Sequence, residues 1–263
     1  MPMLEAAAPS ERLHDPVHVR WPGMLELKAY CAAATITTDL VEHVVQVVER
    51  VLDEPITHAI RDTFPQPIRH GFAAEAQRAW RSTRRTLRLS NRISSSNHVE
   101  ITLDRRLRTT AEPRKPAEYG HVSVKVRQTA PVLGTLADAL PDIVASTKAH
   151  FARIDSRGSW EAQAAGVPWM FAFRFDETWL IKERLGWANF WSDDICQALG
   201  FPARFAAALS EPCWRRCDER GYLIRLSEAP FNFAQAEHAE RYLALTALMP
   251  MPLSARIDGT TAA

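Results

Sequence analysis

Residues 186–192 read Gly-Trp-Ala-Asn-Phe-Trp-Ser, and two aspartates follow. In an extended chain successive side chains alternate between faces, so Trp187, Asn189 and Trp191 share one side and Phe190 lies on the other. A strand with large apolar groups on both faces is poorly placed at a solvated edge. It belongs inside a sheet, packed from both sides. The stretch also opens a helix. Ser192 suits the N-cap of the following Asp-Asp-Ile-Cys-Gln-Ala-Leu segment, the two aspartates suit a positive helix end, and Gly200 suits its stop. The whole stretch therefore reads as architecture, a central strand leading into a capped helix, and not as an active site.

The rest of the chain alternates between the two periods of regular structure. MLELKAYCA, Met24 to Ala32, alternates as a strand. The next segment places Leu40, Val41, Val44, Val47, Val48, Val51 and Leu52 on one helical face, with Thr38 or Asp39 as the cap and Pro55 beyond the end. An Ala-rich helix is expected over GFAAEAQRAWRSTRR, and short strands over TLRLSNR and HVEITLD. Val122, Val124 and Val126 mark a further strand. A stripe through Leu133, Leu136, Leu140, Ile143, Val144, Thr147 and Phe151 predicts one helix from Val132 to Ile154, with Pro141 in the first turn of its main part. WMFAFRF and GYLIRLS read as strands, and AQAEHAERYLALTAL as a terminal helix stopped by Pro250 and Pro252. The order predicts an α+β fold: a mixed or antiparallel sheet covered by helices in a single domain, residues 23–250. Residues 1–22 form a loose arm and 251–263 a flexible tail in this reading.

No apolar run approaches the roughly 20 residues that cross a bilayer. The N-terminal stretch lacks the charged and apolar regions of a secretion signal, and the four cysteines are too scattered for a disulfide framework. The expected compartment is the cytoplasm, with reduced thiols. No Gly-rich phosphate loop, nucleophile elbow or H-E-x-x-H motif occurs. The reading is therefore non-enzymatic, with no catalytic residue, no metal and no cofactor assigned. Cys213 and Cys217, four apart in CWRRC, fall on one face of an expected helix, but nothing nearby in sequence completes a zinc site. The nine histidines carry no repeated ligand spacing.

Charge is unevenly spread. Between Arg78 and Lys115 stand eleven arginines and lysines and three acids, a segment of +8 in a chain of net +1, which leaves −7 elsewhere. Arg78, Arg81, Arg85 and Arg88 recur around Trp80, a mixture that a nucleic-acid binder would show, so residues 78–92 carry an alternative reading as a DNA- or RNA-binding accessory. A sequence pI near 7.8 weighs against it, and a solvated basic face is the plainer account. The opposite pattern gathers Asp176, Glu177, Glu183, Asp193 and Asp194 about Trp179, an acidic surface with an aromatic anchor suited to a basic protein partner. A further alternative is an enzyme whose site residues converge only in space.

Two motifs carry a family resemblance. LGWANFWSDDICQALGFP supplies Gly186, Trp187, Phe190 and Ser192, and GYLIRLSE supplies Gly221, Leu223, Ile224, Leu226, Ser227 and Glu228. In this order, followed by a closing helix, they resemble the C-terminal half of the immunity protein 52 family and of a related bacterial family of unknown function. The resemblance covers roughly Leu185 to Leu248. It implies a cytoplasmic immunity protein that binds and neutralises a cognate toxin, often a nuclease effector of a type VI secretion system. No catalysis, cofactor or membrane partner is expected, and nucleic acid is the less favoured partner. The acidic residues named above are the expected contact with the toxin, because a nuclease that grips DNA carries a basic cleft.

Overall fold

The computed structural model of the protein describes residues 24–61, 64–82, 85–91, 98–107, 119–127, 133–156, 171–175, 179–183, 185–209, 213–217, 220–226 and 236–249. The expected arm and tail lie outside them. In chain order the elements are β1 (Met24–Ala32), α1 (Thr38–Leu52), β2 (His58–Arg61), β3 (Phe64–Pro67), α2 (Gly71–Arg81), β4 (Thr86–Ser90), β5 (His98–Leu107), β6 (Tyr119–Arg127), α3 (Leu133–Thr147), β7 (Phe151–Ser156), β8 (Phe171–Phe175), β9 (Trp179–Glu183), β10 (Ala188–Ser192), α4 (Asp193–Leu199), β11 (Trp214–Cys217), β12 (Gly221–Arg225) and α5 (Ala236–Ala247).

Ten strands make one open sheet in the order β11-β12-β10-β7-β1-β6-β5-β4-β2-β3, and β8 and β9 form a separate ribbon. Every pairing in the large sheet is antiparallel. With its helices this is the single α+β domain that the element order predicts.

Period two builds the core. Leu27 lies opposite Val124 on one side and Ile154 on the other. Val124 faces Ile101, and Ile101 faces Leu89. All five are fully buried. The next rung is Ala29, Val122, Leu103 and Leu87. This apolar face joins the buried stripe of α1 (Leu40, Val41, Val44, Val45, Val47, Val48, Leu52) in one continuous core. The α1 N-cap is Thr37, one residue before the expected cap, and its side chain accepts from the Leu40 N–H at 3.3 Å. Helices α2 and α3 pack against α1, with α3 also on β1, β7 and β10 and α2 on β4.

Strand β10 sits between β7 and β12, and every one of its five residues is buried. It is the interior strand that large groups on both faces require. Phe190 pairs with Ala152 and Leu223, whereas Trp191 pairs with Phe151 and Tyr222 on the opposite face. There Trp191 meets Phe201 and Phe205 edge-on at 5.4 and 5.5 Å. Two glycines allow the backbone to close around this strand. A Cβ at Gly186 would lie 2.2 Å from the Ile154 carbonyl oxygen, and one at Gly221 would lie 2.1 Å from that of Trp191. The Asn189 amide locks the entry: Oδ1 accepts from the Gly186 N–H at 2.9 Å and Nδ2 donates to the Gly186 carbonyl at 2.8 Å.

Three expectations are corrected. The helix expected from Val132 to Ile154 ends at Thr147, and its last residues are β7. Lys148 adopts a left-handed conformation, φ 50°, while the Ala149 N–H reaches the Val144 carbonyl and the Lys148 N–H that of Ala145, a Schellman end made without glycine. Pro141 stands in the helix interior, where no N–H is available for the Ala137 carbonyl. Cys213 and Cys217 flank and end a strand, β11, so alternation and not helical spacing relates the residues between them. Ser192 does occupy the N-cap of α4, but its hydroxyl makes no capping bond. The Asp193 N–H donates instead to the Arg220 carbonyl at 3.0 Å. At the other end Gly200, φ 69°, closes α4 with the Schellman bonds that its position predicts.

Gly186→Ala is expected to cost about 1–3 kcal/mol, because the obstruction is backbone and cannot turn aside. The check is the urea midpoint at unchanged slope; an unaltered midpoint would show that the close approach to Ile154 is dispensable.

Candidate functional site

Of the residues expected to meet a partner, those described fall on two elements. Asp193 and Asp194 form the first turn of α4. The Asp193 carboxylate is clamped by both terminal nitrogens of Arg216, at 2.5 and 2.9 Å, and the same guanidinium lies 4.9 Å above the Tyr222 ring. That hydrogen-bonded pairing pushes the Arg216 pKa up, Asp193 being the main cause. Asp194 is exposed. Arg220 adjoins them and donates to the Ala145 carbonyl at 3.0 Å, so this end of the sheet carries both signs of charge. Trp179 and Glu183 are the first and last residues of β9, opposite Phe175 and Phe171. Helix α4 touches β8, so the ribbon adjoins the helix that the two aspartates open. Asp176 and Glu177 lie outside the described residues.

A second polar assembly occupies the sheet face that alternates with the apolar rungs. Arg153 on β7 is 3% exposed and Asp155 is 2% exposed, both too deep to remain unpaired. Arg153 lies 3.4 Å from Asp155 and 3.7 Å from Glu26 on β1. Glu26 also accepts from the Ser123 hydroxyl at 2.9 Å and faces Lys125 at 3.9 Å. Burial pushes the Glu26 carboxyl up, but Arg153, Lys28, Lys125 and the Ser123 bond together outweigh it, and its pKa falls below the ordinary 4.5. Farther along the same face Arg88 grips Glu100 through two nitrogens at 3.2 and 3.0 Å. Each carboxylate of this network lies against a cation, which suits cohesion better than proton transfer. Placing Phe151 to Ile154 on a helix hid the assembly from sequence reading; the alternation of Ala152 and Ile154 with Arg153 and Asp155 was the available signal.

A cleft of about 270 Å³ lies between α3 and the β10-β12-β11 end of the sheet. Leu140 and Pro141 wall one side and Leu223 and Trp214 the other, while Asp138, Arg215 and Arg225 supply its charged groups. Arg225 also covers the Trp187 ring at 5.4 Å. The volume falls short of a typical small-ligand pocket.

Among the thiols, burial pushes Cys31 up to about 11, and burial with the nearby Asp193 pushes Cys196 up to about 12, so neither is a nucleophile at neutral pH. Among the described residues no group of three or more His, Cys, Asp or Glu could hold a metal ion. None of the described helices is long and apolar enough to cross a membrane.

Among the described residues, the arginine-rich segment divides into arginines with and without a carboxylate partner. Arg78 shares the buried Glu75 with Arg61, and Arg88 is taken by Glu100. Arg105 on β5 lies 4.9 Å over the Trp80 ring, and its N–H donates to the Arg85 carbonyl at 3.1 Å. Arg81 and Arg85 are exposed.

The polar network predicts a pH response. A carboxyl whose folded pKa is depressed contributes stability that is fully present above its unfolded value and is lost as pH falls through the folded one. Glu26→Gln should therefore lower the urea midpoint at neutral pH and flatten its decline below about pH 4.5. Arg153→Ala removes the buried cation that Glu26 and Asp155 share and should cost about 3–5 kcal/mol. A Glu26→Gln profile parallel to wild type down to acid would refute the assignment.

Comparison with known proteins adds two findings. A Pseudomonas aeruginosa T6SS protein, PA0821, superposes with a TM-score of 0.54 at 13% sequence identity, over 86% of this chain and 73% of that one. At this identity the likeness is one of fold. No curated protein matches the sequence. A family model described as a domain of unknown function, DUF5953, matches residues 79–250, from the last turns of α2 past the end of α5. The chain belongs to the DUF5953 family.

Proposed function

We propose that this chain is a cytoplasmic immunity protein that binds and neutralises a secreted toxin of a type VI secretion system, with a nuclease effector as the cognate partner. The observation that carries the reading is the fold shared with a type VI secretion protein over most of the chain. The motif pair supports it from the sequence side: within the two motifs, Ala188 to Ser192 and Gly221 to Arg225 are hydrogen-bonded neighbours, with Phe190 opposite Leu223 and Ser192 opposite Gly221. The motifs therefore describe one structural unit, the β10–β12 pair with its following helix.

Such a protein works by occupancy and needs no chemical step. A rigid sheet presents a fixed surface, so association orders few side chains and retains more of the gross contact energy. In this proposal the toxin meets the end of the domain where α4 presents Asp194 and the Asp193–Arg216 pair, with the ribbon carrying Trp179 and Glu183 alongside and Asp176 and Glu177 contributing. A basic DNA-binding cleft would be steered there by charge. No cofactor or metal takes part.

Co-expression with the protein encoded next to this gene tests the role. Restored growth together with a stable co-purified complex is expected. Unrelieved toxicity with no complex would remove the pairing with that neighbour. Within a complex, Asp193→Lys with Asp194→Lys should weaken affinity about tenfold or more, chiefly through slower association. Unchanged affinity would remove these two residues from the contact.

A further inference from the structure

We infer that Arg81, Arg85 and Arg105, arranged around Trp80, form a docking surface for an acidic protein patch; that this acidic protein is the toxin rests on the function proposed above. The three belong to different elements, the last residue of α2, the connection after it and β5, and they are brought together by backbone and ring contacts. Arg85 donates its N–H to the Ser82 carbonyl at 3.3 Å and accepts from the Arg105 N–H at 3.1 Å. Its φ of 46° is one that side-chain-bearing residues rarely adopt, and these bonds hold it there. Arg105 is held by its stacking on Trp80 at 4.9 Å. Among the described residues none of the three has a carboxylate partner, in contrast to Arg50, Arg61, Arg78, Arg88, Arg153 and Arg216.

A solvated basic face is the plain alternative, and the residue types argue against it. Of the eleven basic residues between Arg78 and Lys115, ten are arginine and one is lysine. Lysine serves solubility as well as arginine does, but only the planar guanidinium offers a fork matched to a carboxylate. Nucleic acid is the competing ligand for such a fork. Single strands bind by stacking bases on open aromatic rings, and Arg105 already covers the Trp80 face. A duplex would extend past the patch over a molecule that carries −7 outside the Arg78–Lys115 segment. A bounded acidic patch on a protein meets the arginines without that repulsion.

Fluorescence anisotropy on the full chain tests this with two probes, a labelled oligoglutamate peptide and a labelled DNA duplex of equal charge. The peptide is expected to bind more tightly than the duplex, and Arg81→Glu with Arg85→Glu should weaken it about tenfold or more. That double variant leaves the Arg105–Trp80 contact in place, and an unchanged circular dichroism spectrum verifies the fold. A tighter duplex, or peptide affinity that survives the double reversal, overturns the proposal. The two proposals fail separately. A neighbouring toxin that binds wild type and the double variant equally removes the arginine surface and leaves the immunity role. A neighbour that binds neither, with the peptide result intact, removes that pairing and leaves the surface.

Discussion

The architecture depends on β7. It joins the half of the sheet built from β1, β6, β5, β4, β2 and β3 to the half built from β10, β12 and β11, and without it the other nine strands are two unconnected sheets. Ala152 and Ile154 face the helical core on both flanks. Arg153 and Asp155 face the other way and are almost completely buried, and Glu26 supplies a second carboxylate that Ser123 and Lys125 balance. Such a cluster imposes register: a one-residue slip of β7 would turn its ions into the apolar core. Gly186 completes the joint, because only a residue without Cβ lets the chain pass the Ile154 carbonyl and deliver β10 in its place.

That scaffold keeps surface charge separate from cohesion. The back-face ions are paired and partly or wholly buried. Two exposed charged regions lie away from that face: the α4 end, with Asp194 and the Asp193–Arg216 pair, and the arginine surface around Trp80. The sheet order places these two regions in opposite halves, one following β10 and the other beside β4 and β5. A partner that engaged both would span the sheet and would need complementary charges of opposite sign at its two ends. A binding protein with one contact surface would use one of them alone.

The legible elements share a property: their signal is local. The β1 alternation, the α1 stripe, the triplet Val122, Val124 and Val126, and the strand-to-helix transition at Ser192 and Asp193 all follow from period, capping and glycine placement. Gly200 ends α4 where a glycine stop is expected. Lys148 ends α3 by the same hydrogen bonds with a residue that announces nothing, so the helical stripe ran on into β7. The hairpin of β2 and β3 is four residues a strand, with Pro65 and Pro67 in its edge member, too short and too Pro-rich for alternation to register. Strand β11 was equally brief, and the spacing of its flanking cysteines suits a helix as well as a strand.

Amino-acid order alone determined the α+β class, the interior position of β10 and the basic character of the segment from Arg78. Each depends on residues close together in the chain. Tertiary structure decided which charges are spent and which remain. Asp193 meets Arg216, Arg88 meets Glu100 and Arg153 meets Glu26 across 23, 12 and 127 positions of sequence, whereas Arg81, Arg85 and Arg105 find no carboxylate among the described residues. Electrostatic energy depends on separation in space and on burial, and neither is a property of sequence spacing.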